Sequence, residues 1–182
     1  MMHIVLLSTM CLIYIVVNSN ICHSKDRRKI KAVWMGIALF LFAALRAPSV
    51  GIDVQRYFFS YAIDASWSYA EILTASTSYT QSREPVFHLF LRTLSFISDD
   101  PQLMLVVIGA MVAIGFSYFA YHQKGNILFI YLLFIGLRIF SFTLSGLRQA
   151  TAMSLIFVAA ILLLQNKTIR YVVFTCIAGL FH

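Results

Sequence analysis

The sequence predicts an all-α fold, a polytopic bundle of transmembrane helices with one larger extracytoplasmic loop that contains short amphipathic helices. Composition supports this, because 60% of the 182 residues are hydrophobic and only 12% are charged, against roughly 25% in globular chains. Several apolar runs also approach the about 20 residues that a helix needs to cross a bilayer. Basic residues cluster beside these runs. We therefore expect one transmembrane domain, 1–182.

Charge placement predicts the orientation of the spans. The net charge is +7, and five of the fourteen Lys and Arg residues lie in the short stretch 24–31. Basic residues beside an apolar segment mark the cytoplasmic side of a membrane. The stretch is therefore interpreted as an orientation signal and not as a nucleic-acid-binding surface, which places the N-terminus outside.

The apolar runs predict five spans and the start of a sixth. They cover about 1–17, 32–50, 101–121, 126–144 and 146–164, and the last begins at 171. The first run has neither a basic start nor a small-residue cleavage site, so it is interpreted as an uncleaved span. The last run, 171–181, is shorter than a crossing requires, which predicts that the chain ends within a span.

Residues 51–100 contain no long apolar run and are predicted to form the outer loop. Asp53 can cap a short helix. On that helix Asp53, Tyr57 and Tyr61 would share one face. Arg56 and Asp64 would lie together on the next face.

The outer loop is also rich in aromatic residues, and it contains a helix-start signal. The pattern at 68–71, Ser-Tyr-Ala-Glu, is typical of a capping box. Two interpretations of the aromatic residues stand side by side, an interfacial belt and a set of stacking surfaces for sugars. The aromatic residues are Tyr57, Phe58, Phe59, Tyr61, Trp67 and Tyr69.

A further short helix is predicted near the end of the loop. Its apolar residues are interrupted at four-residue spacing by Glu84, His88 and Arg92. Such a polar stripe on so short a helix favours an element that is re-entrant or lies at the surface, without crossing. The basic turns at 122–125 and 165–170 then fall inside, in agreement with the positive-inside rule.

Arginines at the predicted membrane boundary are the strongest candidates for function. Arg46 follows an apolar run, and an arginine inside hydrocarbon costs about 2.5 to 3.5 kcal/mol on insertion scales. Either Arg46 extends to the water boundary, or it joins Asp53 and Arg56 in an anion pocket at the membrane surface. Arg148 begins a helix with small residues at every fourth position, where the positive end of the helix dipole favours an anion. Arg138 lies within an apolar segment and is either functional or structurally paired.

Missing motifs exclude several classes of chemistry. The three cysteines show no C-x-x-C spacing and no two of the five histidines share a metal-ligand spacing, so no structural metal is predicted. The sequence contains no phosphate-binding loop, G-x-S-x-G elbow or H-E-x-x-H motif. The enzymatic option that remains needs no cofactor: arginines hold a pyrophosphate leaving group while a carboxylate or histidine deprotonates a hydroxyl.

Four short motifs occur in order along the chain. They are Ala44-Leu45-Arg46 with Val50-Gly51-Ile52-Asp53 and Arg56-Tyr57, then Glu84-Pro85-Val86-Phe87, then Leu147-Arg148-Gln149-Ala150-Thr151-Ala152, and finally Phe181-His182. In this order and spacing the chain resembles the EpsG family, Wzy-like membrane proteins of bacterial exopolysaccharide and capsule assembly. The family pattern continues with a small-residue helix after the Phe-His pair, where this sequence stops.

The resemblance implies a function for the arginines. Members of the family are regarded as polymerising oligosaccharide repeats carried on polyprenyl pyrophosphate, at the outer face of the bacterial cytoplasmic membrane. The resemblance to the family implies functional roles for Arg46, Asp53, Arg56 and Arg148. As a multi-pass protein of that inner membrane, the chain would contact the bilayer, the lipid-linked oligosaccharide and other polysaccharide assembly proteins, with no nucleic acid.

Combining residues and resemblance, we expect a glycosyltransferase-type polymerase. Arg46, Arg56 and Arg148 would bind the pyrophosphate, and three residues are alternative bases for the acceptor hydroxyl. The candidate bases are Asp53, Glu84 and His88, and Tyr57, Gln149 and His182 are further candidates for substrate binding. The alternatives are a transporter or flippase for lipid-linked sugars, which would favour repeated or broken helices, and a non-catalytic subunit of a polysaccharide assembly complex.

Overall fold

The fold is known from a computed structural model, which describes residues 2–19, 26–51, 53–74 and 85–181, with side chains from residue 4 onward. These ranges contain helices and their connections and no strand, so the predicted all-α class is confirmed. The helices are α1 (Met2–Asn18), α2 (Arg27–Ala44), α3 (Val54–Ser66), α4 (Tyr69–Thr74), α5 (Pro85–Ser95), α6 (Gln102–His122), α7 (Ile127–Gly136), α8 (Ile139–Ser145), α9 (Leu147–Leu164) and α10 (Thr168–Leu180).

Two of the described helices are long and apolar enough to cross a membrane, namely α6 with 21 residues and α9 with 18. At 1.5 Å per residue, α6 reaches about 31 Å, the thickness of a hydrocarbon core. The bent pair α7 and α8 would make a third span. Large apolar side chains such as Ile114 and Ile169 are exposed on the outside of the bundle, as expected where lipid is the neighbour.

The predicted span 126–144 is broken rather than continuous. α7 ends at Gly136, α8 begins at Ile139, and their axes differ by 54°. Arg138 lies at the break with a left-handed backbone, φ 60°, a conformation that costs a residue with a side chain about 1 kcal/mol. Its side chain is exposed at the bend, so Arg138 does not lie within a continuous helix.

α6 forms the centre of the bundle because small residues let two helices approach it. A Cβ added to Gly109 would lie 3.1 Å from the Cβ of Ala43 in α2, and one added to Gly36 in α2 would lie 2.3 Å from the Oγ of Ser117. On another side, a Cβ on Gly115 would lie 2.5 Å from the carbonyl oxygen of Ser154 in α9. The small residues predicted at every fourth position of the Arg148 helix, α9, thus include one, Ser154, at a close contact with α6.

These contacts fix the direction of each helix. α2 and α6 are antiparallel, because the end of α2 meets the start of α6, and α6 and α9 are parallel. The bundle therefore has two ends. We call the one formed by residues 45–51, 97–102 and 145–148 the Arg46 end, and the one formed by residues 27–31, 122–126 and 164–168 the Arg28 end.

Segment 53–100 leaves and rejoins the bundle at the Arg46 end. The side-chain Nε2 of Gln102, at the start of α6, donates to the carbonyl oxygen of Ala44 at 2.6 Å, at the end of α2. Gly51, whose φ of 113° favours glycine, lies against the carbonyl of Leu144, since an added Cβ would be 2.6 Å from it. α5 accordingly does not pass from one end of the bundle to the other.

Within this segment α3 packs on α5. The rings of Tyr57 and Phe87 meet edge to face at 5.4 Å. The Tyr61 hydroxyl donates to the carbonyl of Ser98 at 2.6 Å, and burial, with the negative charges of Asp99 and Asp100, raises the pKa of this phenol. Tyr57 and Tyr61 are thus buried, whereas Phe59 is 73% exposed. The aromatic residues therefore divide into core residues and surface residues.

The capping box at the start of α4 is confirmed. The backbone N–H of Ser68 donates to Glu71 Oε2 at 2.6 Å, and the N–H of Glu71 donates to Ser68 Oγ at 3.2 Å. These hydrogen bonds lower the pKa of the Glu71 carboxyl. Each side chain thus satisfies a backbone donor that the first turn of a helix leaves without an intrahelical partner.

Candidate functional site

Arg46 is a buried cation that lacks acceptors. It lies two residues beyond the end of α2, is 8% exposed, and its Nε and Nη2 atoms have no hydrogen-bond partner among the residues that the structure describes. Burial lowers the pKa of the guanidinium from its usual range to about 10. Because a buried donor without an acceptor costs about 1 to 3 kcal/mol, more when charged, this position carries a free-energy penalty.

The Arg46 side chain borders an apolar depression at the end of α2. The depression has a volume of about 400 Å³ and is open to the outside of the bundle. Its other lining residues are Leu41, Phe42, Leu45 and Val50. A cation at the head of an apolar depression suits an amphiphile with an anionic head and a hydrocarbon tail.

Arg148 lies at the same end of the bundle as Arg46. It is the second residue of α9, and its Nε donates to the hydroxyl of Tyr57 at 2.9 Å. The Tyr57 ring is only 7% exposed, so it is not available for stacking on a sugar. Tyr57 instead orients the Arg148 guanidinium. The structure thus brings two of the predicted site residues into contact across 91 residues of sequence.

His88 is also buried, but it has an acidic partner. Its Nδ1 lies 2.7 Å from Asp64 Oδ2, and the two side chains are 9% and 2% exposed. An ionised carboxylate only accepts hydrogen bonds, so the neutral imidazole carries its proton on Nδ1 and keeps a lone pair on Nε2. A carboxylate that fixes the tautomer in this way also stabilises the imidazolium that forms when Nε2 takes a proton. The pair can therefore act as a general base.

Two residues of the predicted polar stripe, His88 and Arg92, face α3. His88 is bound to Asp64, and the next residue of the stripe, Arg92, donates from Nη1 to the carbonyl of Ala65 at 2.8 Å and to Ser95 Oγ at 3.0 Å. The stripe therefore holds α5 against α3. No sequence signal marks Asp64 as functional on its own, although an acidic residue on an inward face opposite a histidine is such a signal once the two helices are paired.

The remaining candidates differ in how far the structure describes them. Asp53 and Arg56, at the start of α3, are exposed, one turn or less from Tyr57. Gln149 folds back over the start of its own helix, since a Cβ on Gly146 would lie 2.5 Å from its Oε1. Glu84 and His182 lie outside the described residues.

The last described helix reaches the same region. The Phe181 ring, directly after α10, meets the Phe90 ring of α5 edge to face at 5.8 Å. Phe90 lies two residues from His88 on α5. The end of the described chain therefore contacts α5, the helix that carries the candidate base His88.

Comparison with known proteins gives one finding. The family model described as the EpsG family matches residues 29–182. Searches of curated proteins and of solved structures gave no match. The matched range contains all the arginines, aspartates and histidines discussed at the Arg46 end. Because the match covers most of a chain whose helices are suited to a membrane, this membrane protein belongs to the EpsG family.

Proposed function

We propose that this protein polymerises polyprenyl-pyrophosphate-linked oligosaccharide repeats into exopolysaccharide or capsule, at the outer face of the bacterial cytoplasmic membrane. Membership of the EpsG family is consistent with this activity. The observation that carries the proposal is Arg46, a buried cation with two nitrogens lacking acceptors, at the head of an apolar depression. A pyrophosphate would supply the missing acceptors while its polyprenyl chain lies along the apolar residues.

Charge placement supports the orientation. The Arg28 end carries the basic residues of the start of α2, of the turns that follow α6 and α9, and of the first turn of α10, including Lys124, Lys167 and Arg170. By the positive-inside rule this end faces the cytoplasm. The Arg46 end then faces outward, where lipid-linked repeats are to be joined.

The chemistry proposed is an inverting glycosyl transfer. The acceptor hydroxyl attacks the anomeric carbon of the donor, a new C–O bond forms, and the bond to the pyrophosphate oxygen breaks. His88 Nε2 takes the hydroxyl proton, with Asp64 holding the ring in the required tautomer. Among the three predicted bases, His88 is preferred because it alone has a described acidic partner, Asp64, that fixes the tautomer of its ring.

Arg46 and Arg148 would stabilise the negative charge that develops on the leaving polyprenyl pyrophosphate. Tyr57 has a positioning role, since it binds Arg148. Arg56 and Asp53, exposed at the start of α3, are placed to contact the more polar parts of the lipid-linked sugars. Both helix α3 and helix α9 therefore contribute to one site.

A polymerisation assay tests the proposal. Membranes that contain the full chain receive lipid-linked repeats, and polymer length is read as a ladder on a gel. Arg46→Met is expected to reduce polymer yield by about tenfold to a hundredfold, the value of one charge-assisted phosphate contact. His88→Gln is expected to reduce it by about a hundredfold or more, the usual contribution of a general base.

The matched control is Arg170→Met, which removes one exposed arginine at the Arg28 end. Protein levels in the membrane are measured for each variant. The control should leave polymer length and yield unchanged. If Arg46→Met, at equal protein level, makes polymer of normal length and yield, Arg46 does not bind the donor and the proposal is wrong.

A further inference from the structure

The Arg28 end holds a polar pocket that the proposed reaction does not use. It lies between α1, α2 and the start of α7, and its volume is about 190 Å³. Its lining residues are Tyr14, Arg28, Lys31, Asn126 and Ile127. Two of these are cations and none is an acid, so the pocket is electropositive.

Lys31 is the most unusual residue of this pocket. Its side chain is buried, with 7% exposure. Its Nζ donates to Asn18 Oδ1 at 3.2 Å and lies 3.9 Å from the centre of the Tyr14 ring. Both partners are neutral, and within the described ranges no carboxylate lies at ion-pairing distance from it. A buried ammonium normally has a counter-charge, and the described residues supply none to Lys31.

The rest of the pocket adds hydrogen-bond donors. Asn126 caps α7, accepting from the N–H of Leu128 at 3.0 Å, so the positive end of the α7 dipole faces this region. The Nδ2 of Asn126 lies 3.5 Å from the Tyr14 hydroxyl oxygen, which accepts and keeps its own proton to donate. The guanidinium of Arg28, by contrast, already binds backbone carbonyls of the turn after α6.

We propose that this pocket binds a phosphate group, with Lys31 as its counter-ion and the Tyr14 hydroxyl as a second donor. Free phosphate and the headgroup of an anionic membrane lipid share the required chemistry. Lys31 directly precedes the apolar stretch 32–44 of α2, at the level where a helix leaves hydrocarbon, so a lipid headgroup reaches it from the bilayer edge. The site depends only on the membrane-spanning bundle and not on the polymerase reaction.

The test uses the purified full chain in nanodiscs that contain either phosphatidylcholine alone or phosphatidylcholine with phosphatidylglycerol. Bound lipid is counted by native mass spectrometry after release. Lys31→Gln is expected to weaken phosphatidylglycerol retention by about tenfold, the fold-change that corresponds to loss of one charge-assisted hydrogen bond. Lys29→Gln, the same change at an exposed position on α2, is expected to have no effect.

Two further arms make the result unambiguous. Tyr14→Phe keeps the ring under Lys31 but removes the hydroxyl donor, and should weaken retention by a few-fold even if Lys31→Gln fails to fold. Inorganic phosphate is added in excess: displacement of the lipid identifies a phosphate-sized site, and no displacement identifies the lipid headgroup as the ligand. Equal retention by wild type and Lys31→Gln overturns the proposal, as does an equal loss in Lys31→Gln and Lys29→Gln.

Discussion

Arg28 and Arg46 lie at opposite ends of the same helix and have opposite surroundings. Arg28, in the first turn of α2, donates from all three nitrogens to the backbone carbonyls of Ala120, Tyr121, Gln123 and Gly125. Arg46, two residues beyond the last turn of α2, has two buried nitrogens for which the described part of the chain provides no acceptor. Arg28 closes the C-terminal end of α6, where cations are favoured by the helix dipole.

The difference teaches how to separate a structural arginine from a functional one in this bundle. A guanidinium whose donors are all satisfied by the fold contributes to stability and has little left to offer a ligand. A buried guanidinium without acceptors lowers the stability of the fold. Such a residue is expected where a bound ligand supplies the hydrogen-bond acceptors that the fold lacks. Arg148 is an intermediate case, since it has a described partner, Tyr57, but remains half-buried at the Arg46 end.

The largest effect on stability is expected from Arg28→Ala. The substitution removes several charge-assisted hydrogen bonds at the end of α6, and the free energy of unfolding should fall by about 2 to 3 kcal/mol. Denaturation of the purified protein in mixed micelles, followed by circular dichroism, measures the change. Lys29→Ala, at an exposed position one residue along the chain, is the control, and an equal loss in both variants would contradict the structural role given to Arg28.

Arg46→Met, unlike Arg28→Ala, is expected not to lower the free energy of unfolding. Replacing an unpaired buried cation by an apolar side chain of similar length should leave the free energy of unfolding unchanged or raise it by about 1 kcal/mol or more. Burial lowers the pKa of Arg46 to about 10 in the fold, below the usual value that it keeps in the unfolded chain. Between these values the unfolded chain binds more protons, so wild-type stability rises with pH relative to the variant.

The difference in free energy of unfolding between Arg46→Met and wild type is therefore constant below pH 10 and narrows as the pH rises above about 10. Comparing both proteins in parallel on either side of pH 10 cancels the titration of all shared groups. A variant that is clearly less stable than wild type at neutral pH would show that Arg46 has an acceptor in the folded protein, and the contrast with Arg28 would fail.

The smallest loss of stability is expected from Tyr57→Phe. This variant tests whether Tyr57 positions Arg148, the intermediate case between Arg28 and Arg46. The buried ring and its contact with Phe87 remain, and only the hydroxyl that accepts from Arg148 is lost. We expect a loss of about 1 kcal/mol in the free energy of unfolding and a few-fold loss of polymer yield in the assay described above. Unchanged yield, with Arg148→Ala strongly impaired, would show that Tyr57 does not position Arg148.

Local patterns in the sequence predicted much of this molecule, because they depend on neighbours along one helix. The capping box at 68–71 and the small-residue contact of α9 lie where the sequence pattern placed them. The bend at Arg138 was not predicted, since an apolar run has the same appearance whether or not one residue within it takes a left-handed conformation. Periodicity assigns faces to a helix and does not detect a single changed dihedral angle.

By itself, the sequence determined that the chain is a helical membrane protein, that a cluster of basic residues marks one end, and that Arg46 stands out at the other. Only the tertiary structure decided which of these residues have partners. Asp64 and His88 are 24 residues apart, and Arg28 and the carbonyl of Tyr121 are 93 apart. The physical reason is that hydrogen-bond partners are chosen by helix packing, which joins residues that are distant along the chain, whereas composition and periodicity report only on each segment and the solvent it prefers.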